Sequence, residues 1–307
     1  MNPPRTFGIV CAHNEASRIS PAIRALQGAG IPFVVIDDGS TDPTANVSRN
    51  LGANVVTLPT NLGKGNAMRV GMKLSRKMMP SPRPEDALLF CDADLQGLRP
   101  DHLLSLAKPM QSGRWAMIAG LRDYGPNLNP VVPHLPLITG ERAVRRDVLE
   151  SLPDAAWNGY GIETWINYAA HRSGLPSGMV LLDGLRVVPK WDKTNTVDGL
   201  NSMVKMGTEV ADAHEQAARW VMKPPPGTQG QHSPTDELCQ RMVQAAAPFV
   251  RQHMWTPEAQ KNLGMAAGKH LAIPFWTFGC IACTAIFGPL AGVSMAVAAF
   301  IHRNSRV

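Results

Sequence analysis

The stretch that most constrains this chain is Leu88-Leu89-Phe90-Cys91-Asp92-Ala93-Asp94-Leu95-Gln96. An apolar run leads into two carboxylates at i and i+2, with a side-chain amide two positions further on. A short apolar run bounded by breakers reads as a buried strand, and Pro80-Ser81-Pro82-Arg83-Pro84 supplies the breakers. On an extended chain, side chains at i and i+2 point the same way. Asp92, Asp94 and Gln96 are therefore expected to present three hard oxygens at the strand's end. Such oxygens suit Mg²⁺ or Mn²⁺, which share their coordination with substrate phosphates. The triplet alone also fits a solvated acidic turn, because D-x-D recurs by chance.

Upstream, apolar runs alternate with amphipathic segments. Phe7–Ala12, Pro32–Ile36 and Ala53–Leu58 read as strands. A helix is expected to run to about Leu26, another over 43–51 with Asp42 as its cap, and a Met-rich one to about Met79. This alternation predicts an α/β sheet with parallel strands. Polar loops then fall at the strands' carboxyl ends, where open α/β sheets bind ligands. Glu15, Asp37 or Asp38, and Lys64 are thereby placed near Asp92 and Asp94. Asp37-Asp38-Gly39-Ser40 reads either as a tight turn or as a carboxylate that accepts from a base or ribose. Asn61–Asn66 reads as a flexible loop. Its Gly63-Lys64-Gly65 is too short for a Walker loop, but a lysine beside a metal site can reach a diphosphate.

With 44% apolar residues the 307-residue chain can bury a substantial core. The formal charge of +6 fits an anionic partner such as a nucleoside diphosphate or a phospholipid surface. Nucleic acid is not expected, because no aromatic-interleaved basic stretch is present. Five scattered cysteines do not make a disulfide framework. Cys11 and Cys91, within apolar runs, read as core thiols, and Cys280-x-x-Cys283 lies in an apolar segment without a partner pair. Met1–Arg5 lacks a signal peptide's apolar region, so the catalytic part is expected on the cytoplasmic side.

Four motifs stand in register: Cys11-Ala12-His13-Asn14-Glu15, Asp37-Asp38-Gly39-Ser40-Thr41-Asp42, Asn61-Leu62-Gly63-Lys64-Gly65 and Asp92-Ala93-Asp94-Leu95-Gln96. Their order resembles that of family 2 glycosyltransferases of GT-A fold, and within them the polyprenyl-phosphate, dolichol-phosphate mannose synthase-like branch. The resemblance covers about residues 6–200. It implies a Rossmann-like mixed sheet and a nucleotide-sugar site drawn from Ala12, Asn14, Glu15, Asp37, Asp38, Lys64, Asp92, Ala93 and Asp94. It also implies a Mg²⁺ or Mn²⁺ ion on Asp92, Asp94 and Gln96.

Ile118–Tyr124 and Thr139–Arg146 resemble arginine elements that the branch aims at its acceptor phosphate. Arg122 and Arg142, with Lys193 in the 189–195 loop, are the cations so implied; that loop lacks the histidine some relatives carry. Arg145 and Arg146 read as a solvated helix face. Glu163, near a helix start, reads as a dipole partner or, by resemblance, as a general base.

Lys223–Gly230 reads as a linker. The charge-free run Leu271–Ile301 exceeds the ~20 apolar residues that span a bilayer. It is expected to be one tilted span or a hairpin hinged at Gly288-Pro289. The expected division is a catalytic domain over 1–200, amphipathic helices and linker over 201–270, and a membrane-associated segment over 271–302. The expected activity is metal-dependent transfer of a hexose from a UDP- or GDP-linked sugar to a polyprenyl phosphate, with inversion. Two alternatives stand beside it: transfer to a hydroxyl acceptor with a carboxylate base, and a nucleotide-sugar binder without turnover.

Overall fold

The computed structural model describes residues 2–123, 139–187, 209–210 and 212–221. The described residues up to Ala217 belong to one compact unit, and residues 218–221 fall in a second. The expected mobile loop with Lys193, the linker, and the apolar segment 271–302 lie outside the described residues. Among the described residues, no helix is long and apolar enough to cross a membrane.

The first unit is built on a seven-stranded sheet flanked by helices on both faces. In chain order its elements are β1 (Thr6–Ala12), α1 (Ser20–Gly28), β2 (Phe33–Asp37), α2 (Thr44–Asn50), β3 (Val55–Thr57), α3 (Lys64–Met78), β4 (Ala87–Asp92), β5 (Leu95–Gln96) and α4 (Pro100–Met110). There follow β6 (Met117–Arg122), β7 (Arg142–Arg145), α5 (Arg146–Glu150), 3₁₀ turns at Asp154–Trp157 and Gly159–Gly161, α6 (Ile162–Arg172), β8 (Ser177–Leu182) and β9 (Arg186–Val187). The strand order is β3-β2-β1-β4-β7-β6-β8, and β5 pairs separately with β9.

The expectation of parallel strands holds for β1, β2, β3 and β4. It fails at β7, which runs antiparallel between β4 and β6 and makes the sheet mixed. Helix α3 begins at Lys64 itself, so the stretch expected as a loop ends at Gly63, whose φ of 87° suits glycine. The cap expected at Asp42 moves to Pro43, although Asp42 Oδ1 still accepts from the Thr44 amide at 3.0 Å.

Leu88, Leu89, Phe90 and Cys91 are all buried because β4 is covered on both faces. Leu89 and Cys91 join Val10, Ile23, Leu26, Leu103 and Leu106 in the core beneath α1 and α4. Helix α3 lies on the other face. Its buried residues Gly65, Met68, Met72 and Ser75 recur at helical spacing, and Gly71 lets it lie against the Ile9 side chain. Both candidate core thiols are inert: burial pushes Cys11 up to about 12 and Cys91 well above its usual range.

The start of the sheet is latched by Asp86. Its Oδ1 accepts from the Arg5 amide at 2.8 Å, and its Oδ2 accepts from Arg5 Nη2 and the Arg83 amide, each at 2.9 Å. Burial raises the Asp86 carboxyl, but these donors outweigh it and hold it at about 2. Its ordinary value is about 3.9. A depressed carboxyl stabilises the fold above its unfolded value, and that contribution disappears as pH falls through about 4 to about 2. Asp86→Asn is expected to lower stability by up to about 2 kcal/mol at neutral pH and to flatten the acid limb over that window. Denaturant melts at several pH values check this, and parallel wild-type and variant acid limbs would refute it.

Candidate active site

Parallel register brings three strand ends to one rim. Ala12 lies opposite Asp37, and Cys11 lies opposite Asp92. The loops that follow are bonded to each other. Asn14, at a φ of 57° that asparagine tolerates, accepts through Oδ1 from the Thr41 amide at 2.8 Å. The Asn14 amide donates to Ser40 Oγ at 2.9 Å and the Glu15 amide to Thr44 Oγ1 at 2.8 Å. The Glu15 carboxylate pairs with Arg18.

Asp37 and Asp38 are both buried. Asp37 Oδ1 accepts from the Ser40 amide at 3.3 Å, as in a tight turn. Asp38 reaches across to the next loop, where its two oxygens accept from the Leu62 and Gly63 amides at 2.8 and 2.9 Å. Those two bonds fix the launch point of α3 and therefore the position of Lys64, its first residue.

Lys64 Nζ stands 2.7 Å from Asp92 Oδ1 and 2.6 Å from Glu163 Oε1. On the other side of Asp92, Arg122 Nη2 approaches Oδ2 at 3.2 Å. Arg122 Nε donates to Glu141 Oε2 at 3.1 Å, and Thr139 Oγ1 donates to the same oxygen at 2.7 Å. The result is an alternating row: Glu163, Lys64, Asp92, Arg122, Glu141. Burial alone would lower the Lys64 ammonium, but Asp92 and Glu163 outweigh it and raise it, so Lys64 stays charged. Glu141 is fully buried, and that burial raises its carboxyl against the pull of Arg122. Gly140 packs directly on Asp92, where any Cβ would overlap the carboxylate.

Beyond Asp92 the chain turns at Ala93 and Asp94 instead of staying extended. Burial nevertheless alternates: Cys91, Ala93 and Leu95 are buried, Asp92 and Asp94 are half-buried, and Gln96 is exposed on β5, opposite Arg186. Among the described residues, no three His, Cys, Asp or Glu side chains gather to hold a metal ion. The donor set still fits a hard cation, because Asp92 already has a positive group on each oxygen. A divalent ion bound by one or two carboxylates plus substrate phosphates needs no third protein carboxylate.

Two expectations are corrected. Arg142 is not exposed to an acceptor phosphate. It is fully buried, with Nε and Nη2 donating to the Thr139 carbonyl at 2.8 and 2.6 Å, and Nη1 donating to the Glu163 carbonyl at 3.1 Å and Asn167 Oδ1 at 2.9 Å. It ties β7 to α6 and holds the backbone of Glu163. Arg145 and Arg146 do not form a solvated face either. Arg145 is bound by Asp147 and the Gly113 carbonyl, and Arg146 is buried. Glu141 carries little signal in the sequence: it is an acid between Gly140 and a strand, marked only by its place beside Arg142 in the second arginine element.

Residues 9–156 match the family described as glycosyl transferase family 2. An uncharacterized protein of Methanocaldococcus jannaschii is 29% identical over 128 residues, 41% of this chain and 50% of that protein. The 4,4'-diaponeurosporenoate glycosyltransferase of Staphylococcus haemolyticus is 33% identical over 98 residues, 31% of this chain and 25% of that protein. The chain thus spans half or less of the length of these curated relatives. Among solved structures, glucosyl-3-phosphoglycerate synthase from Mycobacterium tuberculosis in complex with Mn²⁺, UDP-glucose and phosphoglyceric acid is similar in fold. That match has a TM-score of 0.55 at 22% identity and covers 76% of this chain and 85% of that one. The same enzyme in complex with Mg²⁺ and UDP also gives 0.55, at 23% identity over the same shares.

A methyl group at position 140 has to displace the Asp92 carboxylate. Gly140→Ala is expected to cost about 1–3 kcal/mol in a urea melt. An unchanged midpoint would mean that Asp92 swings aside freely and that the row of charges is loosely held.

Proposed function

We propose that this chain, a family 2 glycosyltransferase through its domain at residues 9–156, transfers a hexose from a nucleoside-diphosphate sugar to a hydroxyl acceptor. The observation that carries the proposal is the row Glu163, Lys64, Asp92, Arg122, Glu141 at the carboxyl edge of the sheet. It sets two cations and an acidic pair, Asp92 and Asp94, where open α/β sheets receive phosphates. The similar fold of an enzyme crystallised with UDP-glucose and Mn²⁺ supports a UDP-linked donor and a divalent metal.

Asp92 and Asp94 would hold Mg²⁺ or Mn²⁺, which when bound offsets charge developing on the leaving diphosphate. Gln96 is the remaining candidate ligand of the sequence pattern. Lys64 and Arg122 supply fixed positive charge on either side of Asp92, ready to turn to phosphate oxygens without a large reorganisation. The bonded loops carrying Ala12, Asn14, Glu15, Asp37 and Asp38 form the shelf for the nucleoside. Ala93, small and buried, sets the turn between the two acids.

The acceptor follows from the cations. A phosphate acceptor is already anionic and needs positive groups to orient it. Of the arginines expected for that task, Arg142 is committed to the core, and Arg122 is shared by Asp92 and Glu141. A hydroxyl acceptor needs a base, and Glu163 supplies a carboxylate beside Lys64. The second reading keeps the polyprenyl-phosphate acceptor. It is favoured by the charge-free run at 271–301, which would attach the enzyme to a membrane with its catalytic domain on the cytoplasmic side.

Membranes from an expressing host, offered labelled UDP-glucose, UDP-N-acetylglucosamine or GDP-mannose, test both. Metal-dependent transfer is expected to fall about a hundredfold or more in Asp92→Asn. Glu163→Gln is expected to lower turnover by about 10²–10⁴ while donor binding persists. Label in a mild-acid-labile, organic-extractable lipid, with Glu163→Gln still active, would instead establish the phosphate acceptor.

A further inference from the structure

Far from the catalytic rim, Arg76, Pro82, Arg83, Pro84, Arg146 and Glu150 line a cavity of about 290 Å³. Its place follows from the register of β7. Arg142 pairs with Phe90 near the Asp92 end of β4, whereas Arg145 pairs with Ala87 at the other end. Ala87 and Asp92 lie five steps apart along the strand, roughly 17 Å. Arg146 follows Arg145, so the cavity opens at the opposite end of the sheet from the site described above.

The charges there do not balance one for one. Arg5 and Arg83 share Asp86, and Arg83 also has Glu85 at 3.5 Å. Arg76 takes Glu150 at 2.8 Å. Arg146 Nη1 is left 3.9 Å from the same Glu150 oxygen, Oε1, that Arg76 takes. Its Nη2 donates to Ser75 Oγ at 3.1 Å, but its Nε and Nη1 are buried and have no hydrogen-bond partner among the described residues. The Arg146 side chain is only 3% exposed. A buried guanidinium with unfilled donors carries a desolvation cost that a nearby anion removes.

We propose that this cavity binds a phosphate-type oxyanion, with Arg146 as its buried anchor and Arg76 as its outer cation. The volume holds one phosphate group with room for a small substituent. Arginine is suited to such oxygens because its planar donors match their geometry. The oxyanion is carried either by a free phosphate or phosphomonoester, or by a phospholipid headgroup reaching the cavity mouth. Binding here is independent of the transfer reaction and of how its acceptor is assigned.

The test uses the full chain with Asp92 intact and a metal chelator present, so that Asp92 keeps Lys64 and Arg122 occupied and no metal recruits phosphate to the catalytic rim. Calorimetric titration with inorganic phosphate and with glycerol phosphate, at constant ionic strength set by chloride, is expected to show saturable binding. That binding is expected to weaken about tenfold in Arg146→Met and severalfold in Arg76→Gln. The Arg76 side chain is 58% exposed, so this second variant keeps the test decisive if Arg146→Met fails to fold. A parallel arm measures sedimentation with phosphatidylglycerol vesicles against phosphatidylcholine vesicles. Sedimentation that depends on Arg76 and Arg146, without binding of free phosphate, identifies the headgroup as the source. Binding that neither substitution alters, in either arm, overturns the proposal, as does the absence of saturable binding in both.

Discussion

Asp92 sits between two cations, and most of the first unit can be understood as the means of keeping it there. A largely buried carboxylate is tolerable only when paired. Lys64 reaches it because Asp38 pins the loop before α3. Arg122 reaches it from the end of β6, itself steadied by Glu141 and Thr139. Glu163 completes the row from the first turn of α6. Five side chains from separate parts of the chain thus depend on one another. Removing any one leaves a charge in the row short of its partner.

The antiparallel strand β7 gives this row its geometry. By entering between β4 and β6 it places Gly140 and Glu141 beside Asp92, and Arg142 under α6. Arg142 is a cation in the core because its donors are met by two backbone carbonyls and Asn167. Its work is to position the Glu163 backbone, and contact with a ligand is not part of it. A positive residue next to a catalytic motif can therefore be structural, and burial distinguishes the two.

Much of this was legible from the residues. Leu88–Cys91 and Phe33–Ile36 are apolar without alternation because their strands are covered on both faces, and parallel strands of that kind gather their polar loops at one edge. Lys64 could be placed near Asp92 on that argument, whereas Arg122 and Glu163 were pointed to only by the resemblance of their motifs. Other features have no local signature. β7 is four residues long with arginine at both ends, which reads as surface. The carboxylate of Asp38 looks the same in sequence whether it meets a ligand or two loop amides. The turn at Ala93 and Asp94 follows an apolar run that would equally suit a longer strand.

The mixed sheet also has a temporal side. Strands β1, β2 and β4 pair in parallel using residues from the first third of the chain, and α1, α3 and α4 can cover them. β6, β7 and α6 come later in sequence, and β7 must close against β4 from about fifty residues away. Chains emerge from the ribosome amino end first, so the early strands can assemble while Arg122, Glu141 and Glu163 are still being made. Asp92 and Lys64 are then in place before their partners arrive. The row of charges closes last, so a complete site is also the mark of a finished fold.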